Sequence, residues 1–414
     1  MTASPSLSVD GDRLWLRLMR LAEIGALPGG GVNRQALSDG EIEAWRLVIG
    51  WGRAVGLAPS TDPVGNLFLT LKGADPGALP VLAGSHLDSQ PTGGKFDGAF
   101  GVLAALEAVT RLHEAGVTPK RDIAVVAWMN EEGSRFAPGM MGSEVFAGVR
   151  SLDAIRAVVD AEGIAVGAEI DRLHAAFPDV PQRALGFPFA AYVEPHIEQA
   201  TMLETANCPI GIVAGIQGKK TWRIVVSGEK GHAGTVPPAD RRDALAAFAR
   251  IAARLYDEIG AGDDDMRFTI GRVVVEPNAP SVIPSRVTFS VDLRHPDNGR
   301  LDAAGALLER ICRDGAGRCS VDIVPLVDAP SNGFDPVIGD LIEASAVARG
   351  IAFLRLLSAA GHDARHMAPL APSAMIFIPC RDGVSHAEEE WAEPEHVTAG
   401  ANVLLDVISK LASE

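Results

Sequence analysis

The sequence predicts an α/β protein, with a central, mostly parallel sheet in a domain interrupted by an inserted α+β domain. Three observations carry this reading. Strand-length apolar runs alternate with helix-periodic segments early in the chain, and polar loops follow the strands. After Cys208 the texture changes to a βαββαβ order, the pattern of a compact α+β domain. Past Gly333 the chain returns to helix, strand, strand, helix. The expected boundaries are residues 1–211 and 330–414 for the split domain and 212–329 for the insertion.

The elements follow in order. Leu14 to Ile24 places apolar side chains at helical spacing. Ser38 and Glu41 have the spacing of a capping box, so a second helix starts there, with Ile42, Trp45 and Ile49 inward and Gly56 at its end. Leu67, Leu69 and Leu71 alternate, which predicts a strand with one buried face. Pro80 to Gly84 reads as a buried strand ending at the polar segment Ser85 to Asp97. Val102, Leu103, Leu106, Val109 and Leu112 then mark a helix, and Asp122 to Met129 a strand that stops at Asn130, Glu131 and Glu132. In the insertion, strands are expected over Thr221–Ser227, Arg267–Glu276, Arg286–Leu293 and Ser320–Val327. Helices are expected over Leu301–Arg313 and over Asp243–Ile259, the latter burying Leu245, Phe248, Ile251 and Leu255. Asp328 to Gly333 is the expected return linker. A helix over Pro336–Arg349, strands near Leu354–Leu357 and Ala374–Ile378, and a closing helix to Lys410 complete the chain.

Composition excludes several classes. At 414 residues the chain can bury a large core without disulfides or a structural metal. Cys208, Cys312, Cys319 and Cys380 show no metal-ribbon spacing and suit a reducing cytosol. Met1 to Asp10 lacks a basic start followed by an apolar core, so a cytoplasmic location is expected. No apolar run approaches the roughly 20 residues that cross a bilayer, so no membrane partner is expected. The net charge of −16, with no basic cluster, argues against nucleic acid. No Gly-x-Gly-x-x-Gly follows an early strand, which argues against a dinucleotide-dependent enzyme.

The informative segment runs from Gly84 to Gly98, GSHLDSQPTGGKFDG. His86 and Asp88 lie two apart just past a strand and point the same way, so Asp88 can orient the His86 imidazole and raise its basicity. Asp97, at a helix start, can reach two cations through its two oxygens. Adjacent residues at a strand end face opposite ways, so Glu132 can bind a cation while Glu131 stays free as general base beside an acidified water. His196 and His386 sit in similar strand-end settings. Two cations sharing Asp97 would each have one histidine and one more side chain. Imidazole and carboxylate without thiolate suit zinc, manganese, cobalt or nickel. A lone His-x-Asp pair, adjacent glutamates or a single histidine is commonly structural or solvated; what favours a site is that all fall at strand ends.

These motifs resemble a known family. Gly31–Arg34 (GVNR), Gly84–Gly98, Asn130–Pro138 (NEEGSRFAP), His196–Gln199 (HIEQ) and Gly211–Gly218 (GIVAGIQG) carry the resemblance, with His232–Thr235 (HAGT), Asp292–Pro296 (DLRHP), Gly361–Ala364 (GHDA) and Ala399–Asn402 (AGAN). In that order, over nearly the whole chain, they are similar to the N-carbamoyl-L-amino acid hydrolase, β-ureidopropionase and allantoate amidohydrolase branch of the metallo-aminoacylase and carboxypeptidase superfamily. The resemblance implies a catalytic domain holding two divalent cations on His86, bridging Asp97, Glu132, His196 and His386, with Glu131 as base. It implies that the insertion is a ferredoxin-like lid through which two subunits pair as a homodimer. It also implies a small anionic substrate: Asn278 and Arg294 would hold its carboxylate and Gln199 its ureido end. His232, often from the neighbouring subunit, would stabilise the oxyanion. Arg294 suits bidentate pairing with a carboxylate, and His232 suits donation to developing negative charge. Without the resemblance, Arg294 is an ordinary surface arginine and Asn278 a turn residue.

Three positions depart from the family pattern: Ala200 in place of glycine, Ala387 in place of asparagine ahead of the acidic run Glu388–Glu390, and Ser281 in place of asparagine. They leave the ligand set intact and bear on the substrate. The expected reaction is hydrolysis of the carbamoyl amide of a small carboxylic acid, an N-carbamoyl-L-amino acid first, with lid closure bringing Arg294, Asn278 and His232 over the cations. The rivals are an N-acyl amino acid amidohydrolase or dipeptidase, and a non-catalytic binding protein on the same fold.

Overall fold

A computed structural model describes residues 7–261 and 263–414, so the leader expectation over Met1–Asp10 falls partly outside the described residues. Two compact units separate: Met1–Gly215 with Gly333–Glu414, and Ile216–Asn332. The strands of the first segment are β1 (Ala58–Thr61), β2 (Leu67–Leu71), β3 (Val81–His86), β4 (Ile123–Trp128), β5 (Ala191–Ile197) and β6 (Ile210–Ile216). Next come β7 (Gly218–Ser227), β8 (Gly231–His232), β9 (Arg267–Glu276), β10 (Val282–Ile283), β11 (Arg286–His295) and β12 (Ser320–Ala329). The chain finishes with β13 (Asn332–Gly333), β14 (Phe353–Ser358) and β15 (Ser373–Ile378).

Among the described residues, a nine-stranded sheet runs β1-β2-β4-β3-β5-β15-β6-β13, with β14 also paired to β6. Its centre, β4-β3-β5-β15, is parallel, and the antiparallel strands β2 and β6 flank it. Every residue of β3, β4, β5 and β15 is buried, the signature of a sheet covered on both faces. The helix Ala99–Glu114 packs on β3, β4 and β5, and the helix Pro394–Ser413 packs on that helix and on β15. The same burial corrects the expectation for Leu67–Leu71: all five residues of β2 are buried, because Phe68 and Thr70 face protein as fully as the leucines do.

Local signals act as anticipated at the second helix, Asp39–Ala54. Ser38 Oγ accepts the Glu41 N–H, and the Glu41 carboxylate reaches back to the Leu37 N–H. Gly56, at φ 76°, follows the helix end.

In the second unit, β12-β7-β11-β9 form an antiparallel sheet, and β11 alternates buried and less buried residues over one packed face. The helices Ala244–Leu255 and Asn298–Gly315 cover that face. The first of these corrects an expectation. Ile251 and Leu255 are buried and Phe248 is half-buried, but Leu245 is 39 % exposed. The Asp243 cap phases the helix so that Ala244, Ala247, Ile251 and Leu255 form the inward stripe, and Leu245 falls off it.

Candidate metal centre

The carboxyl ends of the central parallel strands deliver the site, as open α/β sheets do. His86 closes β3 and His196 is the penultimate residue of β5. Both rings are 1 % exposed and fixed the same way. His86 Nδ1 lies 3.0 Å from the Asp88 carbonyl and His196 Nδ1 2.9 Å from the Ile197 carbonyl. A carbonyl only accepts, so each Nδ1 carries a hydrogen and each Nε2 is left for the centre. Those Nε2 atoms stand 3.5 and 3.1 Å from Asp97 Oδ1. His386 Nε2 approaches the other oxygen, Asp97 Oδ2, at 3.3 Å, and Glu132 Oε2 at 3.4 Å.

Two triads therefore share one carboxylate: His86, Asp97 and His196; and Asp97, Glu132 and His386, each with ligand atoms within 4.8 Å of one another. All five expected ligands come together. The histidines divide two and one between the triads, because β3 and β5 are neighbours and present both imidazoles to the same oxygen.

Electrostatics mark the same centre. Burial alone would raise the Asp97 carboxyl, but hydrogen bonds from His196, His386 and His86 outweigh it and hold Asp97 well below the usual carboxylate range. Burial pulls the His86 imidazole down, yet Glu131, Asp97 and Asp88 hold it well above its ordinary value. His386, hydrogen-bonded to Asp97, is pushed up to about 9. Three imidazoles around one anion compete for protons at the positions where divalent cations bind, and such cations displace those protons. The donor set fits a pair of divalent cations: three imidazole nitrogens, two further carboxylates and no sulfur.

Glu131 and Glu132 diverge, but not by strand alternation. β4 ends at Trp128, and both glutamates lie in the following turn, where the Asp88 carboxylate accepts both of their amide N–H groups at 3.2 Å. Asp88 thus grips this turn, and its carboxylate stands 3.6 Å from His86 Nδ1, behind the closer backbone carbonyl. Glu131 Oε2 reaches to 3.6 Å from His86 Nε2, while Glu132 accepts from Gln90 Nε2 at 2.7 Å. Burial and the carboxylates of Asp363, Glu132 and Asp88 push Glu131 well above the usual range, only partly offset by His86. Cations beside it would favour the ionised form that a base needs.

Gln199, at φ 59°, donates from Nε2 to Asp97 Oδ2 at 3.0 Å and to Ser385 Oγ at 3.1 Å, and its Oε1 is buried without a partner. His362 stacks edge-on against the His196 ring and bonds Ser358, and Asp363 accepts from Ser143. The second unit carries the other expected residues. His232 is paired in β8 with Val282, and Asn278 is exposed at φ 52°. Arg294, near the end of β11, pairs with Asp292 at 3.0 Å. Arg286 pairs with Glu276 and Arg294 with Arg267, so Asn278 lies past one end of β11 and Arg294 near the other. At ~3.3 Å per residue they stand roughly 26 Å apart along the strand. Within one subunit, Arg294 and Asn278 therefore lie toward opposite ends of this sheet.

Two other features carry no site. Asp263, Asp265 and His295 cluster in the second unit, but His295 Nδ1 accepts the Asp297 N–H and its Nε2 donates to Asp263, leaving no lone pair. A cavity of about 880 Å³ is lined by Asp160, Glu169, Arg135 and Arg172, whose charges pair with one another, and by none of the five ligand residues.

Comparison with known proteins fits this centre. The model of peptidase family M20/M25/M40 matches residues 82–410, from β3 to the last helix. The chain belongs to this family. As an M20-family hydrolase it is similar along its length to named relatives. It is 41 % identical over 410 residues to an N-carbamoyl-L-amino-acid amidohydrolase of Rhizobium meliloti, covering 98 % of this chain and 97 % of that one. It is 34 % identical to the allantoate amidohydrolase of Bacillus subtilis, with 95 % of each covered. A hydantoinase/carbamoylase family amidase from Burkholderia multivorans matches in structure with a TM-score of 0.89 at 41 % identity, over 99 % of this chain and all of that one.

Sequence reasoning missed three groups that shape the M20 centre. Glu390 accepts the amides of Phe96 and Asp97, and Ser385 Oγ lies 3.1 Å from Asp97 Oδ2. Glu194 takes the Ser85 hydroxyl and the Ala364 N–H, both at 2.7 Å. Glu194 stands two residues before His196 on β5, so the period-2 rule applied to His86 and Asp88 would have found it. Glu390 is hidden in an acidic run that carries no such period.

Gly98 limits the centre sterically. At φ 61°, a Cβ there would fall 2.4 Å from the His86 ring. Gly98→Ala is expected to fold but to bind cations at least ~10-fold more weakly, since the His86 ring must move. Competition with a chromophoric chelator measures this, and a native affinity would detach Gly98 from the centre.

Proposed function

We propose that this protein is a homodimeric, cytoplasmic N-carbamoyl-L-amino acid amidohydrolase using two divalent cations: zinc, manganese, cobalt or nickel. One observation carries the reading: Asp97 divides its two oxygens between two ligand triads, with Glu131 beside them and outside both. The amidohydrolase names of the full-length relatives support the choice of substrate.

When bound, the cations would supply an acidified water and polarise the carbamoyl carbonyl. Glu131 takes the water's proton as that water attacks the carbamoyl carbon, and passes it to the departing amine. The products are amino acid, carbon dioxide and ammonia. Gln199 Oε1, buried and unpartnered, suits an N–H of the carbamoyl group. Arg294, oriented by Asp292, anchors the substrate carboxylate. His232 donates to the developing oxyanion.

The separation of Asn278 from Arg294 supports two subunits per site, because one small substrate cannot touch both ends of β11. Arg294 and the pair His232 and Asn278 then come from different copies. β9 is an edge strand with Val273 and Val274 45 % and 36 % exposed, and it offers the pairing edge.

The deciding assay sets N-carbamoyl-L-amino acids beside N-acetyl-L-amino acids, allantoate and N-carbamoyl-β-alanine, using protein loaded with each candidate cation. Carbamoyl turnover at least tenfold above the others is expected, and preference for the acetyl series would sink the assignment. Glu131→Gln should keep its cations and lose roughly 10²–10⁴-fold in rate; near-normal turnover would remove Glu131 as base. Arg294→Ala should raise KM for carboxylate substrates by about 30-fold, some 2 kcal/mol, with kcat much less affected. An unchanged KM would reject it as the anchor.

A further inference from the structure

We infer that Glu390 is a positioning residue that sets Asp97 to bridge two cations, an inference that rests on the metal-centre reading above. Glu390 is 1 % exposed, in contrast to its exposed neighbour Glu389. Its Oε1 accepts the backbone N–H of Phe96 at 2.9 Å and of Asp97 at 3.1 Å. Its Oε2 lies 3.0 Å from Ser385 Oγ, and the same hydroxyl lies 3.1 Å from Asp97 Oδ2.

One oxygen of this side chain thus holds Asp97 by its own amide, and the other shares the Ser385 hydroxyl with the Asp97 oxygen that faces His386. Ser385 directly precedes His386, so the same contacts tie the shared carboxylate to a ligand of the second triad. The loop before Asp97 is shaped around this carboxylate. A Cβ on Gly94 would fall 1.9 Å from Glu390 Cδ, so the space exists only because residue 94 has no side chain. Phe96 and Asp97 have no strand partner to hold their amides; they lie between β3 and the helix Ala99–Glu114, and Glu390 serves in its place.

The role needs an acceptor oxygen at a given reach. Glutamine keeps that oxygen and can donate to Ser385 through its amide nitrogen. Aspartate keeps the charge but is one methylene shorter, and alanine keeps neither. The test titrates Zn²⁺ into metal-free wild type and into Glu390→Ala, Glu390→Asp and Glu390→Gln, with the melting temperature of each metal-free protein measured alongside. Wild type is expected to bind two ions. The Ala and Asp variants should bind at least one of them ~10–100-fold more weakly, the usual effect of removing a residue that orients a ligand. The Gln variant should stay within about threefold. A purely structural role would lower the metal-free melting temperature and leave the affinity of the folded protein unchanged. Wild-type affinity in both the Ala and Asp variants overturns the inference, as does a Gln variant no better than Ala. Should the Ala variant not fold, the Asp variant, which preserves charge and polarity, decides. Wild type binding no Zn²⁺ would instead overturn the metal-centre reading.

Discussion

One carboxylate with its two oxygens pointing to different partners is the constraint on which this protein depends. Asp97 takes His86 and His196 on Oδ1 and His386 on Oδ2, from three separate parts of the chain. Coulomb attraction among buried groups is strong only when the atoms are held at a fixed separation, since desolvation otherwise outweighs it. The parallel sheet supplies that fixity for two imidazoles, each leaving the carboxyl end of a strand buried on both faces. His386 is held less tightly: its side chain is half exposed and it follows a loop.

The loops around Asp97 cannot rely on strand pairing, and buried acids take over that task. Asp88 accepts the amides of Glu131 and Glu132; Glu390 accepts those of Phe96 and Asp97; Glu194 takes Ser85 and Ala364. Each joins segments far apart in sequence. A buried carboxylate is costly unless it is hydrogen-bonded, and each of these three has both oxygens engaged. Burial raises all three carboxyls; the His86 imidazole beside Asp88, the His196 imidazole beside Glu194, and hydrogen bonds from the segments they hold bring them part of the way back. These hydrogen bonds hold the segments around Asp97 against one another, the kind of support a site needs around its ligand side chains.

The second unit obeys a different rule. Its core is its own, built from β7, β11 and the inward stripes of two helices. The residues resembling a substrate clamp lie on its rim and at opposite ends of one strand, a spacing set by strand rise and not by side-chain choice.

Periodicity, capping and turn chemistry made the elements legible in the sequence, because they are local: Ser38 and Glu41 start a helix, Gly56 ends one, and the span Pro336–Arg349 is the same in sequence and structure. The residues that meet around Asp97 were marked in the sequence too: His86, Glu132 and His196 by the strand-like runs they end or follow, and Asp97 by its place at a helix start. What strand order decided was invisible in the chain. Only the adjacency of β3 and β5 puts His86 and His196 on one oxygen, and only the turn after Trp128 separates Glu131 from Glu132. Glu390 lies 293 residues from Asp97 and looks like one more surface acid in a run of three. Sequence fixes which chemistry each segment can offer, because that is a property of single residues and their near neighbours. Which of those segments meet is a property of long-range packing, and that alone brought the carboxylates under the loops they hold.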